Sequence, residues 1–182
     1  MLIEPQQLVD EPLALDVTFE PGAIDYSPDI RQTGPLKVSG RAELIVEHRG
    51  PKEFVHDIRL RARVTGDFES SCARCLDPVP QQIDTTFDLI FRPAGADAEP
   101  GEHSITEDET EIGYYETSGL LLEDAVREQV LLALPGRSLC RQDCQGLCPQ
   151  CGANRNRTEC GCVQPVADSR WKALADFAAP KA

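Results

Sequence analysis

Much of what defines a protein class is missing from this 182-residue chain. No apolar run approaches the ~20 residues that a membrane helix requires, so no membrane association is expected. The opening MLIEPQQLVDEPLALD has no basic start, no apolar stretch and no small-residue cleavage site. It does not read as a secretory signal, and a cytoplasmic location is expected. A phosphate-cradling glycine loop, a dinucleotide fingerprint and a catalytic carboxylate pair are all absent. His48, His56 and His103 are scattered, with no nucleophile pattern beside them, and are read as exposed residues. No solenoid period repeats. Basic residues are scarce: 18 Lys and Arg stand against 31 Asp and Glu, a net charge of -13. That balance opposes nonspecific attraction to a polyanion and favours a strongly basic partner. Nor is there a basic recognition helix of the kind that reads DNA.

Cysteine, by contrast, is plentiful: Cys72, Cys75, Cys140, Cys144, Cys148, Cys151, Cys160 and Cys162. A chain of this length buries a real core without cross-links. In a reducing compartment, thiols at short regular spacings read as metal ligands before disulfides. Eight thiols complete two tetrahedral four-thiolate sites with none left over, and two structural zinc ions are expected. Cys72-x-x-Cys75 and Cys148-Pro-Gln-Cys151-Gly152 have the spacing that lets two sulfurs of one turn reach one ion at ~2.3 Å. Pro149 fixes φ inside the second turn, and Gly152 permits a positive φ just after it. Cys160-Gly161-Cys162 could close that site across an eight-residue loop. Cys72, Cys75, Cys140 and Cys144 would then hold the second ion and tie distant segments together. This grouping is favoured because local closure costs less loop entropy. The competing one joins Cys140, Cys144, Cys148 and Cys151, and pairs Cys72 and Cys75 with Cys160 and Cys162. A third reading takes Cys144-x3-Cys148-x2-Cys151 as the iron-sulfur spacing of radical S-adenosylmethionine enzymes, which would make the protein an iron-sulfur or redox-active metalloenzyme.

Around the cysteines the pattern is mostly strand. Leu13, Leu15, Val17 and Phe19 alternate with polar residues, as do Leu36 to Val46 and Ile58, Leu60, Ala62, Val64 and Phe68. The last run leads into Cys72, and the chain returns through Ile83, Thr85, Phe87, Leu89 and Phe91, so Cys72-Ala-Arg-Cys75 is placed at the tip of an antiparallel hairpin. From Pro93 to Val126 there are ten acidic residues and no Lys or Arg, read as a solvated acidic loop over 93–117. LLLEDAVREQVLLAL reads as a helix with Leu122, Val126 and Val130 four apart, Ser118 as a possible cap and Pro135-Gly136 as its stop. In DSRWKALADF, Trp171, Leu174 and Phe177 share one helical face, read as core.

The expected fold class is therefore α+β. Residues 1–135 form an N-terminal antiparallel sheet or open barrel with a packed helix, and 136–182 form a C-terminal cysteine-rich zinc module. A shared metal site joins the two.

Arg59, Arg61 and Arg63 fall at period two, so along a strand they would share one face at ~6.7 Å spacing, near that of successive phosphates. They are candidates for binding RNA or another partner. The alternative pairs them across the sheet with Asp84 and Asp88. Arg137, Arg141, Arg155 and Arg157 surround the cysteines and balance the negative charge of a four-thiolate zinc cluster.

Four stretches together carry a family resemblance: the strand run ending in Cys72-Ala-Arg-Cys75, the helix REQVLLALP, the run Cys144-Gln-Gly-Leu-Cys148-Pro-Gln-Cys151-Gly-Ala-Asn154, and Asp168-Ser-Arg170-Trp171. In these the chain resembles the YceD-type large ribosomal RNA subunit accumulation proteins. The resemblance implies a non-catalytic role in ribosome biogenesis, supporting accumulation of large-subunit ribosomal RNA, with no catalytic residue to assign and no small-molecule substrate. The implied partner is that RNA or its precursor, or a basic ribosomal protein.

Overall fold

The fold comes from a computed structural model that describes residues 1–50, 53–97, 112–116 and 118–162. The chain opens with the short strand β1 (Leu2–Ile3) and a 3-10 turn at Pro5–Leu8, then forms β2 (Leu13–Phe19), β3 (Ile30–Gln32), β4 (Leu36–Gly50), β5 (Glu53–Ser71), β6 (Pro78–Pro93), β7 (Ile112–Tyr115), β8 (Leu120–Leu121) and α1 (Leu122–Ala133). Six strands make the main sheet, in the order β2-β4-β5-β6-β7, with β3 also paired to β5. β1 and β8 form a separate two-stranded ribbon. The molecule is thus mostly sheet with one helix among the described residues.

The alternation in the sequence maps onto the faces of this sheet. Leu36 and Val38 of β4 and Ile58, Leu60 and Val64 of β5 are fully buried, and Phe68 nearly so. Neighbouring side chains on a strand point to opposite faces, so the intervening Arg59, Arg61 and Arg63 face away from that core. α1 lays Leu122, Ala125, Val126 and Val130 on the core. Each buried aliphatic side chain of the leucine or valine type contributes about 1.5–3 kcal/mol of burial free energy. Tyr26 meets Phe68 edge to face at 5.3 Å.

Two features differ from the sequence expectation, and one expectation falls outside the described residues. The sheet is mixed, because β7 runs parallel to β6 with Ile90 opposite Ile112 and Arg92 opposite Tyr114. Consequently 112–115 is a strand and not part of a solvated loop, while 98–111 lie outside the described residues. Ser118 does not cap the helix: it sits in the turn closed by Gly119 N–H donating to Glu116 O, and Leu121 holds the N-cap position with no side-chain hydrogen bond. The helix expected around Trp171 lies outside the described residues.

What positions the cysteines is the β5–β6 hairpin, paired continuously from Ile58 opposite Phe91 to Ser71 opposite Pro78. Its tip is Cys72-Ala-Arg-Cys75. After α1, Leu134 donates its N–H to Val130 O and Pro135 ends the helix, because it has no N–H to continue the ladder. The chain then docks on the hairpin tip. Ala73 N–H donates to Ser138 O at 2.8 Å, and the Ser70 and Ser138 hydroxyls lie 2.8 Å apart, with the Gln81 amide donating to both.

Candidate metal centre

The eight thiols are all free, and they gather in two groups of four. Cys72, Cys75, Cys140 and Cys144 form one quartet, and Cys148, Cys151, Cys160 and Cys162 the other. Within each, all four sulfurs lie within 4.8 Å of one another. This is the grouping favoured by loop closure. The run Cys144-x3-Cys148-x2-Cys151, read as one iron-sulfur motif, is instead divided between the quartets.

The first quartet is the buried one: Cys72, Cys75 and Cys144 are almost wholly enclosed, with Val79, Leu139 and Leu147 packed against them, while Cys140 is exposed. Cys72 Sγ lies 3.9 Å from Cys144 Sγ, and Cys75 Sγ lies 3.5 Å from Cys140 Sγ. A tetrahedral ion with sulfurs at ~2.3 Å has sulfur–sulfur edges of ~3.8 Å. The observed separations bracket that edge and are far too long for disulfides. Four soft thiolates suit zinc or iron, and the residues present fit such an ion.

Each quartet is built on the same local turn. Leu76 N–H donates to Cys72 O and Cys72 N–H to Asp77 O; correspondingly, Gly152 N–H donates to Cys148 O and Cys148 N–H to Ala153 O, at 2.8–2.9 Å throughout. The turns are locked together at Gly146, which has φ +71° and lies so near Arg74 that an added Cβ would sit 3.0 Å from its carbonyl oxygen. Leu147 N–H donates to Arg74 O at 3.0 Å, and the Arg74 guanidinium donates to Cys144 O at 2.9 Å.

Electrostatics within the quartets suits them to hold a cation. Burial alone would raise the Cys72 thiol, but backbone N–H groups of Arg74, Cys140 and Cys75 aimed at its sulfur bring it down to about 6. The Asn156 side-chain amide, 3.2 Å from Cys144 Sγ, lowers that thiol as well. Burial pushes Cys75 up to about 12, reinforced by the sulfurs around it, and raises Cys140. In the second quartet the N–H groups of Cys151 and Gln150 bring Cys148 down to about 6, while the neighbouring Cys151 sulfur leads in pushing Cys162 up to about 12 and Cys148 raises Cys160. Thiolates at these separations repel one another. A divalent cation removes that penalty and is the natural counter-charge.

Sequence reasoning grouped the cysteines as the structure does but did not find their supports. Asn156, Asn154, Arg74, Asp77 and Gly146 carry the hydrogen bonds around the first quartet, and only the polar run Asn154-Arg-Asn156-Arg157 hinted at them. Arg59, Arg61 and Arg63 lie far along the hairpin from its cysteine tip and are tied to acids. Arg59 makes two hydrogen bonds of 2.7 Å to Asp88, Arg63 two of 2.6–2.7 Å to Asp84, and Arg61 ion-pairs with Glu43 and Asp88. The stripe is largely neutralised, as the cross-sheet pairing reading had it.

The model of one protein family, the large ribosomal RNA subunit accumulation protein YceD, matches residues 60–178. That span takes in β5 from Leu60 onward, all of β6, the helix and both quartets. The chain belongs to the YceD family. An uncharacterized protein of Mycobacterium leprae is 27% identical over 98% of this YceD-family chain and 83% of its own length. Uncharacterized proteins of Mycobacterium bovis and Mycobacterium tuberculosis are 36% identical over 60% of the chain, a region that spans half of each of them. No solved structure matches. Among the described residues, no helix is long and apolar enough to cross a membrane.

Proposed function

We propose that this YceD-family chain is a non-catalytic, zinc-bound ribosome-biogenesis factor of the cytoplasm that supports accumulation of large-subunit ribosomal RNA. The family match, which covers most of the chain including both quartets, carries the ribosomal part of this reading. The thiol geometry supports the non-catalytic part: a full set of four thiolates leaves no coordination position for water, so a zinc ion so held supplies folding energy and not a nucleophile. The division of Cys144 from Cys148 and Cys151 speaks against an iron-sulfur enzyme built on those three residues.

The direct partner in this reading is a basic ribosomal protein. Two observations support a protein over RNA: the net charge of -13, and the pairing of Arg59, Arg61 and Arg63 with carboxylates. A polyanion is repelled by such a surface, whereas a lysine-rich protein is drawn to it. Affinity purification at moderate salt followed by nuclease tests this: the partner stays bound after RNA is destroyed. Release of the partner by nuclease makes RNA the bridge. Loss of the gene lowers large-subunit ribosomal RNA relative to small-subunit RNA, and an unchanged ratio overturns the ribosomal assignment.

A further inference from the structure

In the loop that joins the two ligand pairs of the second quartet, residues 152–159, the side chains of Asn154, Asn156 and Arg157 make polar contacts around the first. Asn156 donates its side-chain N–H to Cys144 Sγ, while its Oδ1 accepts from Gln145 N–H and from Arg141, both at 2.8 Å. Asn154 donates to one oxygen of Asp77 at 3.1 Å and Arg157 to the other at 2.8 Å, and Asp77 lies two residues beyond Cys75. Arg155 N–H donates to Gly146 O at 2.9 Å. By sequence residues 154–157 belong to the second site; by contact they surround the first.

We propose that the two quartets are thermodynamically coupled, with metal at Cys148, Cys151, Cys160 and Cys162 closing the loop that sets the Asn156 amide on Cys144 and so raising the affinity of the first quartet. The inference rests on the reading that both quartets hold a metal ion. With no ion to draw Cys160 and Cys162 toward Cys148 and Cys151, residues 152–159 must be ordered at the expense of the chain's own conformational entropy. With the loop closed, that cost is already met, and the amide arrives at a thiolate, where a hydrogen bond to charge is roughly twice as strong as a neutral one. Partners of this kind around metal ligands are worth about 10- to 100-fold in affinity. Linkage makes the effect mutual: metal at the first quartet favours the closed loop and tightens the second site by the same factor. Asn156 is in this account a positioning residue, since it touches a ligand and not the ion.

Full-length protein stripped of metal under reducing conditions and titrated with 113Cd(II) tests the coupling, because each thiolate quartet gives its own cadmium resonance. A Cys160→Ser/Cys162→Ser variant assigns the first-quartet signal. Both signals of the unaltered protein are expected to grow together from the first substoichiometric addition. In the double variant the first quartet binds about 10- to 100-fold more weakly in chelator competition. Asn156→Asp separates positioning from mere loop structure and remains decisive if the double variant fails to fold. It keeps the acceptor used by Gln145 and Arg141 but turns a carboxylate oxygen toward Cys144. The first-quartet resonance should shift and its affinity fall, while the second-quartet resonance stays in place. First-quartet affinity within about twofold of the unaltered protein in both variants overturns the coupling and leaves two independent sites. Failure of the unaltered protein to take up cadmium at all overturns instead the metal-binding reading on which it rests.

Discussion

Leu76 and Gly152 occupy the same position in two copies of one turn. Each follows the second cysteine of a Cys-x-x-Cys pair, each has a positive φ, +62° and +74°, and each donates its N–H to the carbonyl of the first cysteine at 2.9 Å. Glycine adopts that backbone freely, whereas leucine resists it, because its Cβ crowds the carbonyl. Leu76 is the one non-glycine residue in this conformation among the described residues, and its side chain is 64% exposed.

Leu76→Gly is therefore expected to stabilise the metal-loaded protein. A left-handed non-glycine residue costs about 1–2 kcal/mol, and the extra freedom of glycine in the unfolded chain returns about 0.5–1 kcal/mol of that. The net gain is up to about 1 kcal/mol, read as a higher urea midpoint at constant slope. Gly152→Leu should move the midpoint the other way. A Leu76→Gly protein less stable than the parent would show that the exposed leucine makes contacts that outweigh its strain.

Metal affinity should rise with pH. In the metal-free quartets Cys75 and Cys162 are pushed up to about 12, so they carry protons at neutrality and must release them when a metal binds. Cys72 and Cys148, brought down to about 6, are already largely ionised at pH 7 and begin to compete for protons only below that value. Affinity consequently falls as pH drops, and the fall steepens below about pH 6. Competition between zinc and a chromogenic chelator at a series of pH values measures the slope. A flat profile would contradict ligation by thiolates.

The end of β6 remote from the cysteines holds a separate charged cluster. The Arg92 guanidinium, 8% exposed, donates to Asp57 at 2.9 and 3.1 Å and also meets Asp97 and Glu47. Arg92→Met leaves the buried Asp57 carboxylate without its partner and is expected to cost about 3–5 kcal/mol. Adding Asp57→Asn should recover part of that loss, because the stranded charge is removed. Metal affinity should be unchanged in any of these variants that fold, since the cluster and the quartets lie at opposite ends of the hairpin. Denaturant unfolding and metal competition on the same samples separate the two effects.

On the outer face of the sheet, Arg63 beside Asp84 and Arg59 beside Asp88 hold both carboxyls below their usual range. Depressed carboxylates contribute stability that is complete above their ordinary values and is lost as pH falls through the lowered ones. With the pairs this exposed, the contribution is small. The consequence for binding is larger. Asp84→Asn/Asp88→Asn uncovers a stripe of arginines and should make the protein bind single-stranded RNA and heparin more strongly than the parent, with a binding that weakens as salt rises. Equal retention of parent and variant on heparin would contradict the neutralised-stripe account.

The long strands and the second quartet were legible because their signals are local: period-two alternation around Ile58 to Val64, a Cys-x-x-Cys turn, and an eight-residue loop cheap to close; the first quartet, which joins segments some 65 positions apart, followed from the four thiols that remained. β7 was not, since Ile112–Tyr115 is a short strand in an acidic stretch and gains its stability from Phe91 and Arg92, some twenty positions earlier. The start of the helix was misread for a related reason. Leu120 and Leu121 pair with Ile3 and Leu2 at the far end of the sequence, and that ribbon, not a Ser118 cap, fixes where α1 begins. Asn156 and Gly146 were hidden because an Asn or Gly in a polar loop carries no periodic signal, and their roles exist only once two turns lie side by side.

Metal held by the two quartets is decided by elemental analysis of protein purified without added metal, paired with thiol titration of the native and the unfolded chain. Two zinc ions per chain are expected, with cysteines that resist a thiol reagent in the native state and all eight reacting once chelator and denaturant are added together. Metal-free protein that remains folded while all eight thiols react at once would contradict this expectation.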